Sequence, residues 1–507
     1  MTLDSLLKGI NAAELSGERA GERAGERDIE ITGISYDSRK VKKGDLFVAL
    51  SGEKTDGHTY IADALENGAA AVVYEKADAL SGLGRDINRT ANAVFVQVND
   101  SRSALAALAN NFFGRPSVSL PVIGITGTNG KTTVSYLIKS VLEAWGAKVG
   151  LIGTIQYMIG DRSFDATHTT PEAPEFQGLL DRMKLEGCAY VVSEVSSHAL
   201  AQKRVDGTVF RSLVFTNLTR DHLDFHETME DYYQAKKRLF TELPGEDRTS
   251  VINIDDAFGR RLSGELSAAG SKVITCGFES DADLMATDIN NSFQGVRFAI
   301  MARDARYDVV SPLTGLPNVY NILSAAGACR SLGAPWSVIL KGISNAGPVR
   351  GRFEKVEAGQ SFLAVVDYAH TEDALERLIY TARGLTSGRI ITVFGCGGDR
   401  DRGKRSVMGA LATRLSDFVI ITTDNPRSEN PEDIIKEVAS GAVRKNYLIE
   451  PDRREAVKRA VLMASDNDVV LVAGKGHENY QEIRGQRMIF NDREVLLEAI
   501  RQLINNK

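Results

Sequence analysis

Cysteine is scarce in this chain: four residues in 507 (Cys188, Cys276, Cys329 and Cys396), none in a Cys-x-x-Cys spacing. That scatter argues against a disulfide framework or structural zinc and points to a reducing compartment. Long apolar runs are missing as well. No apolar stretch reaches 18 residues, so no membrane span is expected. Met1–Leu15 carries acids where a secretory signal would need an apolar core. Excess positive charge is the third absence. With a net charge of −6 and a pI near 5.8, no general basic field exists to recruit nucleic acid. What is present is ordinary for a globular protein, 43% hydrophobic and 25% charged residues. The length suggests about three domains, each able to bury its own core. The expectation is a cytoplasmic protein acting without nucleic acid or membrane.

Residues 17–27 read GERAGERAGER, a charged, Gly-rich repeat that can bury nothing and reads as a solvated loop or frayed helix. After it, DSRKVKKGDLFVAL and AAAVVYE read as strands of a first α/β domain, with a boundary near Gly114-Arg115-Pro116. The strand-like LPVIGIT then runs into GTNGKTT. Val134, Leu137, Ile138, Val141, Leu142 and Trp145 follow at helical spacing, Gly146 reads as the stop, and KVGLIG supplies the next strand, completing a βαβ unit. YVVSEV, SLVFTN and SVINI read as further strands. From about Val349, four more (LAVVD, IITVF, FVIIT, VVLVA) alternate with helix-length patterns, which implies a mainly parallel sheet. Each runs directly into a polar motif: DYAH, GCGGDR, TDNPR and GKGHE. Ligands of open α/β sheets bind beyond the carboxyl ends of the strands.

The segment 124–133, GITGTNGKTT, lies between a strand and a helix. Its glycines let backbone N–H groups approach phosphate oxygens, and the helix N-terminus favours an anion. Lys131 would reach the β/γ-phosphates and the Thr132 hydroxyl would sit on Mg²⁺. The spacing departs from GxxxxGK[ST], because Ile stands at 125 and the glycine at 127. A Gly-rich turn without a ligand is the plain alternative. Glu194, in SEVSSHAL, and His222, in TRDHLDFH, are placed at strand ends. The carboxylate suits Mg²⁺, whereas histidine is an unusual ligand for it and reads equally as a hydrogen-bonding residue. Five of the seven histidines (198, 222, 226, 370, 477) nonetheless fall inside the motifs. In TTDNPR, Asp424 could answer an ammonium and Arg427 grip a carboxylate in bidentate fashion, while Asn425-Pro426 alone would only start a turn.

GTNGKTT, EVSSHAL, NLTRDHLDFH, NVYNILSAAG, GRFE, DYAH and DNPR, in this order, resemble the Mur ligases of peptidoglycan synthesis, from Asp37 to Gln481. The resemblance implies an α/β protein of three domains: an N-terminal UDP-binding domain over 1–114, a central P-loop ATPase over 115–346 with a mainly parallel sheet, and a C-terminal Rossmann-like, amino-acid-binding domain over 347–507. It implies an ATP-dependent amide ligase adding meso-diaminopimelate to UDP-N-acetylmuramoyl-L-alanyl-D-glutamate through an acyl phosphate. A carboxylate is a poor electrophile and must be activated, so charge developing on the transferred phosphoryl group needs Mg²⁺ and Lys131.

Carried over residue by residue, the resemblance assigns ATP to Gly127, Thr128, Asn129, Gly130, Lys131, Thr132, Thr133, Asn318, Asn321, Arg352 and Asp367. It assigns catalysis to Lys131, Glu194, His222 and Lys236, and the metal to Thr132, Glu194, His222 and Lys236 as a carbamate. A carbamate is an oxygen-ligand anion, where an ammonium beside Mg²⁺ would be repelled. Lys237 next door leaves the register open, although Gln-Ala before Lys236 fits. Ser38, Thr169, Thr170, Ser196, Gln202 and Arg204 are assigned to the nucleotide-peptide. Thr169 and Thr170 also read as a helix N-cap before Pro171. Arg400, Asp424, Asn425, Pro426, Arg427, Gly474 and Glu478 are assigned to diaminopimelate. L-lysine lacks the second carboxylate and would leave a buried Arg427 unpaired, at about 3–5 kcal/mol, or roughly a hundredfold to a few thousandfold in selectivity. Glu372 departs from the family's usual proline after DYAHT and is expected to sit harmlessly in a first helical turn. A monomer is expected. The competing readings are a lysine-adding ligase, which Arg427 opposes; a folylpolyglutamate synthetase-like enzyme, which would have no DNPR; and an inactive scaffold, which should have lost Lys131, Glu194 or Lys236.

Overall fold

The computed structural model describes residues 1–10, 12–16, 29–52, 55–81, 93–245, 247–279, 281–303 and 305–505. The GER repeat lies outside them. The chain forms two compact units. One comprises 1–124, 148–211 and 238–248; the other comprises 125–147, 212–237 and 249–507.

In the first unit a five-stranded sheet runs in the order Ala12–Ser16, Val94–Val98, Ala71–Tyr74, Leu46–Val48, Ile34–Ser35, antiparallel only at its first pair. The helix Ser101–Phe112, capped by Asp100, buries Ala104, Leu105 and Leu108 in the same core as Leu46, Val48 and Val96. DSRKVKKG is not a strand. Asp37 caps a 3-10 turn, Ser38–Lys40, by accepting from the Arg39 N–H, so the strand begins only at Leu46. The same unit pairs Tyr190–Glu194 in parallel with Val149–Ile152, which continues through antiparallel Gln156–Ile159 and Arg162–Asp165.

The second unit carries the strands Phe210–Phe215, Thr249–Asn253, Lys272–Gly277 and Leu284–Ser292 in parallel, followed by antiparallel Gly295–Ala302 and Ala305–Ser311. Its other sheet has six strands: Glu354–Lys355, Leu363–Asp367, Val469–Ala473, Ile390–Phe394, Phe418–Ile421 and Tyr447–Ile449, all parallel except the first pair. The four apolar runs read from the sequence are its central strands. They are buried except at Leu363, Asp367 and Phe418, which are partly buried, because helices cover both faces. Leu375, Ile379 and Met408 close one side, and Val457, Val461 and Leu496 close the other. Thr371 caps the helix Glu372–Arg383, and Glu372 is its first residue, where an acid suits the helix dipole as expected. No helix among the described residues is long and apolar enough to cross a membrane. The architecture is mixed α/β with mainly parallel sheets.

Candidate active site

In the second unit the strand's last residues, Ile125 and Thr126, pass into a loop that only glycine can build. Gly127 has φ +146, and a Cβ there would fall 1.9 Å from Thr216 Oγ1. Gly130 has φ +90 and faces Asn321 Oδ1 at 2.4 Å in the same sense. The loop is tied down by Asn217, which accepts from Thr128 N through its carbonyl and from Asn129 N through Oδ1, each at 2.9 Å. The helix Lys131–Ala144 then starts without a side-chain cap, leaving first-turn N–H groups facing the loop. Val134, Leu137, Ile138, Val141 and Leu142 are its buried face. Lys131 Nζ donates to the carbonyls of Gly127 and Thr128 at 2.8 and 2.9 Å, so it already lies over the loop. Thr132 and Thr133 are buried, and Arg352 reaches Thr132 Oγ1 at 3.4 Å.

Lys236 belongs to the same cluster. It is 1% exposed, donates to Gly127 O at 2.9 Å and lies 4.4 Å from the centre of the Tyr232 ring. Burial, and then the Lys131 charge, push its ammonium well below the usual lysine range. Lys237 instead pairs with Glu265 at 2.7 Å, so of the two neighbouring lysines Lys236 is the inward one. His222 is not at a strand end. It lies seven residues beyond Phe215 with φ +55, ahead of the short helix Leu223–His226, and faces Asp221 at 3.4 Å. Asn318 and Asn321 lie one turn apart on the helix Leu316–Ser331, joined Nδ2 to Oδ1 at 3.0 Å. Arg352 stacks over Tyr368 at 4.6 Å. Asp367 accepts from Phe353 N and Ala369 N, with burial raising its carboxyl and Arg352 opposing.

At the strand ends of the six-stranded sheet, the assigned amino-acid residues converge. Asp424 and Asn425 are buried; Asn425 Nδ2 donates to Glu478 Oε2 at 2.7 Å. Gly474 has φ +114, and a Cβ there would meet Asp424 Oδ2 at 2.8 Å. Arg427 is half-buried rather than buried. Its guanidinium donates to the Gly398 carbonyl at 2.5 Å and pairs with no carboxylate among the described residues. The cost of leaving it without a carboxylate is therefore smaller than for a buried guanidinium, about 1–3 kcal/mol. Arg400 is exposed.

In the first unit Glu194 ends its strand fully buried. Thr154 gives it two bonds, N to Oε1 at 3.0 Å and Oγ1 to Oε2 at 2.9 Å, and Thr154 Oγ1 also meets Thr169 Oγ1 at 3.0 Å. Thr169 and Thr170 are not helix caps. The helix Ala173–Leu185 begins after Glu172, and Thr170 Oγ1 donates to Glu194 O while accepting from Ser196 N. Arg204 donates to Thr170 O and to Gln202 Oε1 and pairs with Glu172 at 2.9 Å. Ser38 is buried and accepts from Asn67 through its carbonyl. Among the described residues no three His, Cys, Asp or Glu side chains form a metal cluster. The sequence reading missed Thr154, Tyr232, Asp373 and Lys475. Asp373 accepts from Asn129 Nδ2 at 2.9 Å, and nothing but its place beside Glu372 marked it. Lys475 stood in plain view inside GKGHE.

A strand, a glycine-built loop and an uncapped helix with lysines at the loop define a phosphate-loop α/β protein. Three family models match the chain: the Mur ligase family catalytic domain over 30–113, the Mur ligase middle domain over 125–329, and the Mur ligase glutamate ligase domain over 351–476. The chain belongs to the Mur ligase family. It is 44% identical over 502 residues, 99% of both chains, to the UDP-N-acetylmuramoyl-L-alanyl-D-glutamate–2,6-diaminopimelate ligase of Caldanaerobacter subterraneus subsp. tengcongensis. The protein of that name from Solibacter usitatus is 46% identical over 475 residues, 93% of this chain and 94% of its own. A solved structure of a ligase of the same name superposes with a TM-score of 0.68 at 34% identity, covering 95% of this chain and 97% of that one.

Proposed function

We propose that this protein uses ATP to join meso-diaminopimelate to UDP-N-acetylmuramoyl-L-alanyl-D-glutamate, a cytosolic step of peptidoglycan precursor synthesis. The observation that carries the choice of amino acid is Arg427. Among the described residues its guanidinium donates to the Gly398 carbonyl and pairs with no carboxylate, while three residues earlier Asp424 is buried beside Lys475, which also holds the carboxyl of Glu478. That set offers a cation to a distal carboxylate and anions to an ammonium, which meso-diaminopimelate satisfies at both ends and L-lysine at one. The relatives named above are similar over their whole length and carry this activity in their names.

The nucleotide-peptide carboxylate attacks the γ-phosphorus of ATP, ADP leaves, and the acyl phosphate is then attacked by the amine, releasing phosphate. Lys131 and the backbone N–H groups at the helix start, 130–133, hold the transferred phosphoryl group. Asn318, Asn321, Arg352 and Asp367 are assigned to the nucleotide. Ser38, Thr169, Thr170, Ser196, Gln202 and Arg204 are assigned to the UDP-sugar-peptide. Thr132, Glu194, His222 and carbamylated Lys236 are the residues proposed for Mg²⁺, which would neutralise charge on the phosphoryl oxygens. A hydroxyl, a carboxylate and a carbamate are hard oxygen donors suited to that ion. Burial supports the carbamate: it favours the neutral Lys236 amine, the form that adds CO₂. The division into domains at 114 and 346 is supported by the spans of the three matching models.

The test is phosphate release with ATP and UDP-N-acetylmuramoyl-L-alanyl-D-glutamate, offering meso-diaminopimelate or L-lysine separately. Release with diaminopimelate at least about tenfold faster supports the reading. Equal release with lysine would remove Arg427 from selection. Silence with both would overturn the ligase.

A further inference from the structure

Lys475 is a fully buried cation in the middle of the strand-end cluster. Its Nζ donates to Asn425 Oδ1 at 2.9 Å and to Glu478 Oε2 at 3.1 Å, and lies 3.6 Å from Asp424 Oδ1. Resting on the reading that Asp424, Asn425 and Glu478 receive the amino acid, we propose that Lys475 is a positioning residue of the amino-acid pocket. It fixes the orientation of Asn425 and leaves the pair of carboxylates with one net negative charge, matched to one substrate ammonium.

The geometry supplies both parts. Asn425 Oδ1 accepts from Lys475 Nζ and from Glu482 N at 3.0 Å, which forces Nδ2 toward Glu478 Oε2 at 2.7 Å. That carboxylate oxygen is thereby saturated, and Oε1 is the one left to a ligand. Asp424 takes no hydrogen bond on its carboxylate among the described residues, and its nearest cation is Lys475. Two carboxylates this close, facing one ammonium, would carry one charge too many without the lysine, and one of them would hold a proton instead. Glu478 already leans that way. Burial raises its carboxyl, the neighbouring Lys475 lowers it, and Asp424 raises it. The other titratable or charged groups facing this cluster are Tyr368 and Tyr480, whose hydroxyls are raised first by burial, the buried thiol of Cys396 beside Asp424, also raised first by burial, and Arg453, which faces both carboxylates from the helix Arg453–Met463.

Lys475→Met keeps the stem and removes the charge. In that variant Glu478 titrates higher, so binding of the ammonium requires a higher pH. The expected result is an increase of about tenfold or more in KM for meso-diaminopimelate, with KM for ATP and for the nucleotide-peptide within about twofold. The acid limb of kcat/KM for diaminopimelate moves to higher pH. Adding Glu478→Gln to Lys475→Met returns the pocket to one carboxylate and should bring that limb back toward the wild-type position. A limb that stays put in Lys475→Met, or KM values that rise together for all three substrates, overturns the positioning role. If Glu478→Gln alone leaves KM for diaminopimelate unchanged, the pocket itself is wrong, an outcome distinct from failure of the lysine's role. Loss of folding in Lys475→Met is checked by its melting temperature. In that event Lys475→Arg, which keeps the charge, must retain the wild-type acid limb, and a displaced limb there also overturns the proposal.

Discussion

Gly474 shows how tightly a single position constrains the amino-acid end of the site. Its φ of +114 disfavours any side chain, and the Cβ of an alanine would press to 2.8 Å on Asp424 Oδ2. Gly474→Ala is therefore expected to cost about 1–3 kcal/mol of stability and to weaken diaminopimelate use at least about tenfold while sparing ATP. Melting temperature and substrate-specific KM values check this; an equal loss for both substrates would separate Gly474 from the amino-acid site. At this scale the sequence was readable where chemistry and spacing coincide. GTNGKTT, DNPR and GKGHE all lie at strand ends or helix starts. It was not readable for Thr154, because a threonine after a strand carries no signal until Glu194, forty residues away, lies beside it. The burial of Arg427 was overstated for the same reason, since exposure depends on neighbours the local string does not name.

The helix Lys131–Ala144 connects the phosphate loop to the body of its unit through one close contact. A Cβ on Gly342, in the helix Trp336–Ser344, would fall 2.3 Å from the Val141 Cα, and Ser140 Oγ donates to the Gly342 carbonyl at 2.7 Å. Gly342→Ala must push these two helices apart. The expected cost is about 1–3 kcal/mol, with a lower melting temperature and a raised KM for ATP, because the displaced helix carries Lys131 and Thr132. An unchanged KM for ATP would show that the loop's bonds to Asn217 and Asp373 hold it without that helix contact. Periodicity made this helix and the four central strands of the six-stranded sheet legible, since burial on one or both faces writes itself into the apolar pattern. DSRKVKKG misled because it runs straight into the apolar strand Leu46–Val48, while the Asp37 side chain takes the backbone before it into a 3-10 turn.

For the molecule as a whole, acid should be the weak flank. Arg405, almost wholly buried, holds Glu429 down to about 2 through a direct hydrogen bond, and Arg402 and then Arg405 lower Glu437. A carboxyl lowered on folding stabilises the fold above its unfolded value, and that contribution is lost as pH falls through the folded one. The melting temperature should thus fall between about pH 4.5 and about pH 2, and Arg405→Met should be less stable at neutral pH with a flatter acid limb. An acid limb as steep as wild type in that variant would clear the cluster of responsibility. Thiol chemistry gives a second test. All four cysteines are buried; burial pushes Cys276 and Cys396 up to about 12 and raises Cys188 and Cys329 as well. A disulfide reagent at mildly alkaline pH should titrate essentially none of them in the native protein and all four in denaturant. Pairings between distant segments, such as Asn129 with Asp373 or Lys475 with Asn425, were the least legible features, because one sequence shows no contact between them.

The two asparagines in those pairings differ in chemical durability. An asparagine side chain loses its amide by closing on the backbone nitrogen of the next residue, and that nitrogen must carry a hydrogen. Asn425 precedes Pro426, which has none, so the amide that orients the pocket is shielded from this slow conversion to aspartate. Asn129 precedes Gly130, the least hindered successor; its side-chain amide is held by Asp373 and Thr219, and its backbone by Thr216 and Asn217. Asn67, exposed and followed by Gly68, shares that vulnerability, but only at Asn129 does conversion place a new negative charge in the loop built for phosphate.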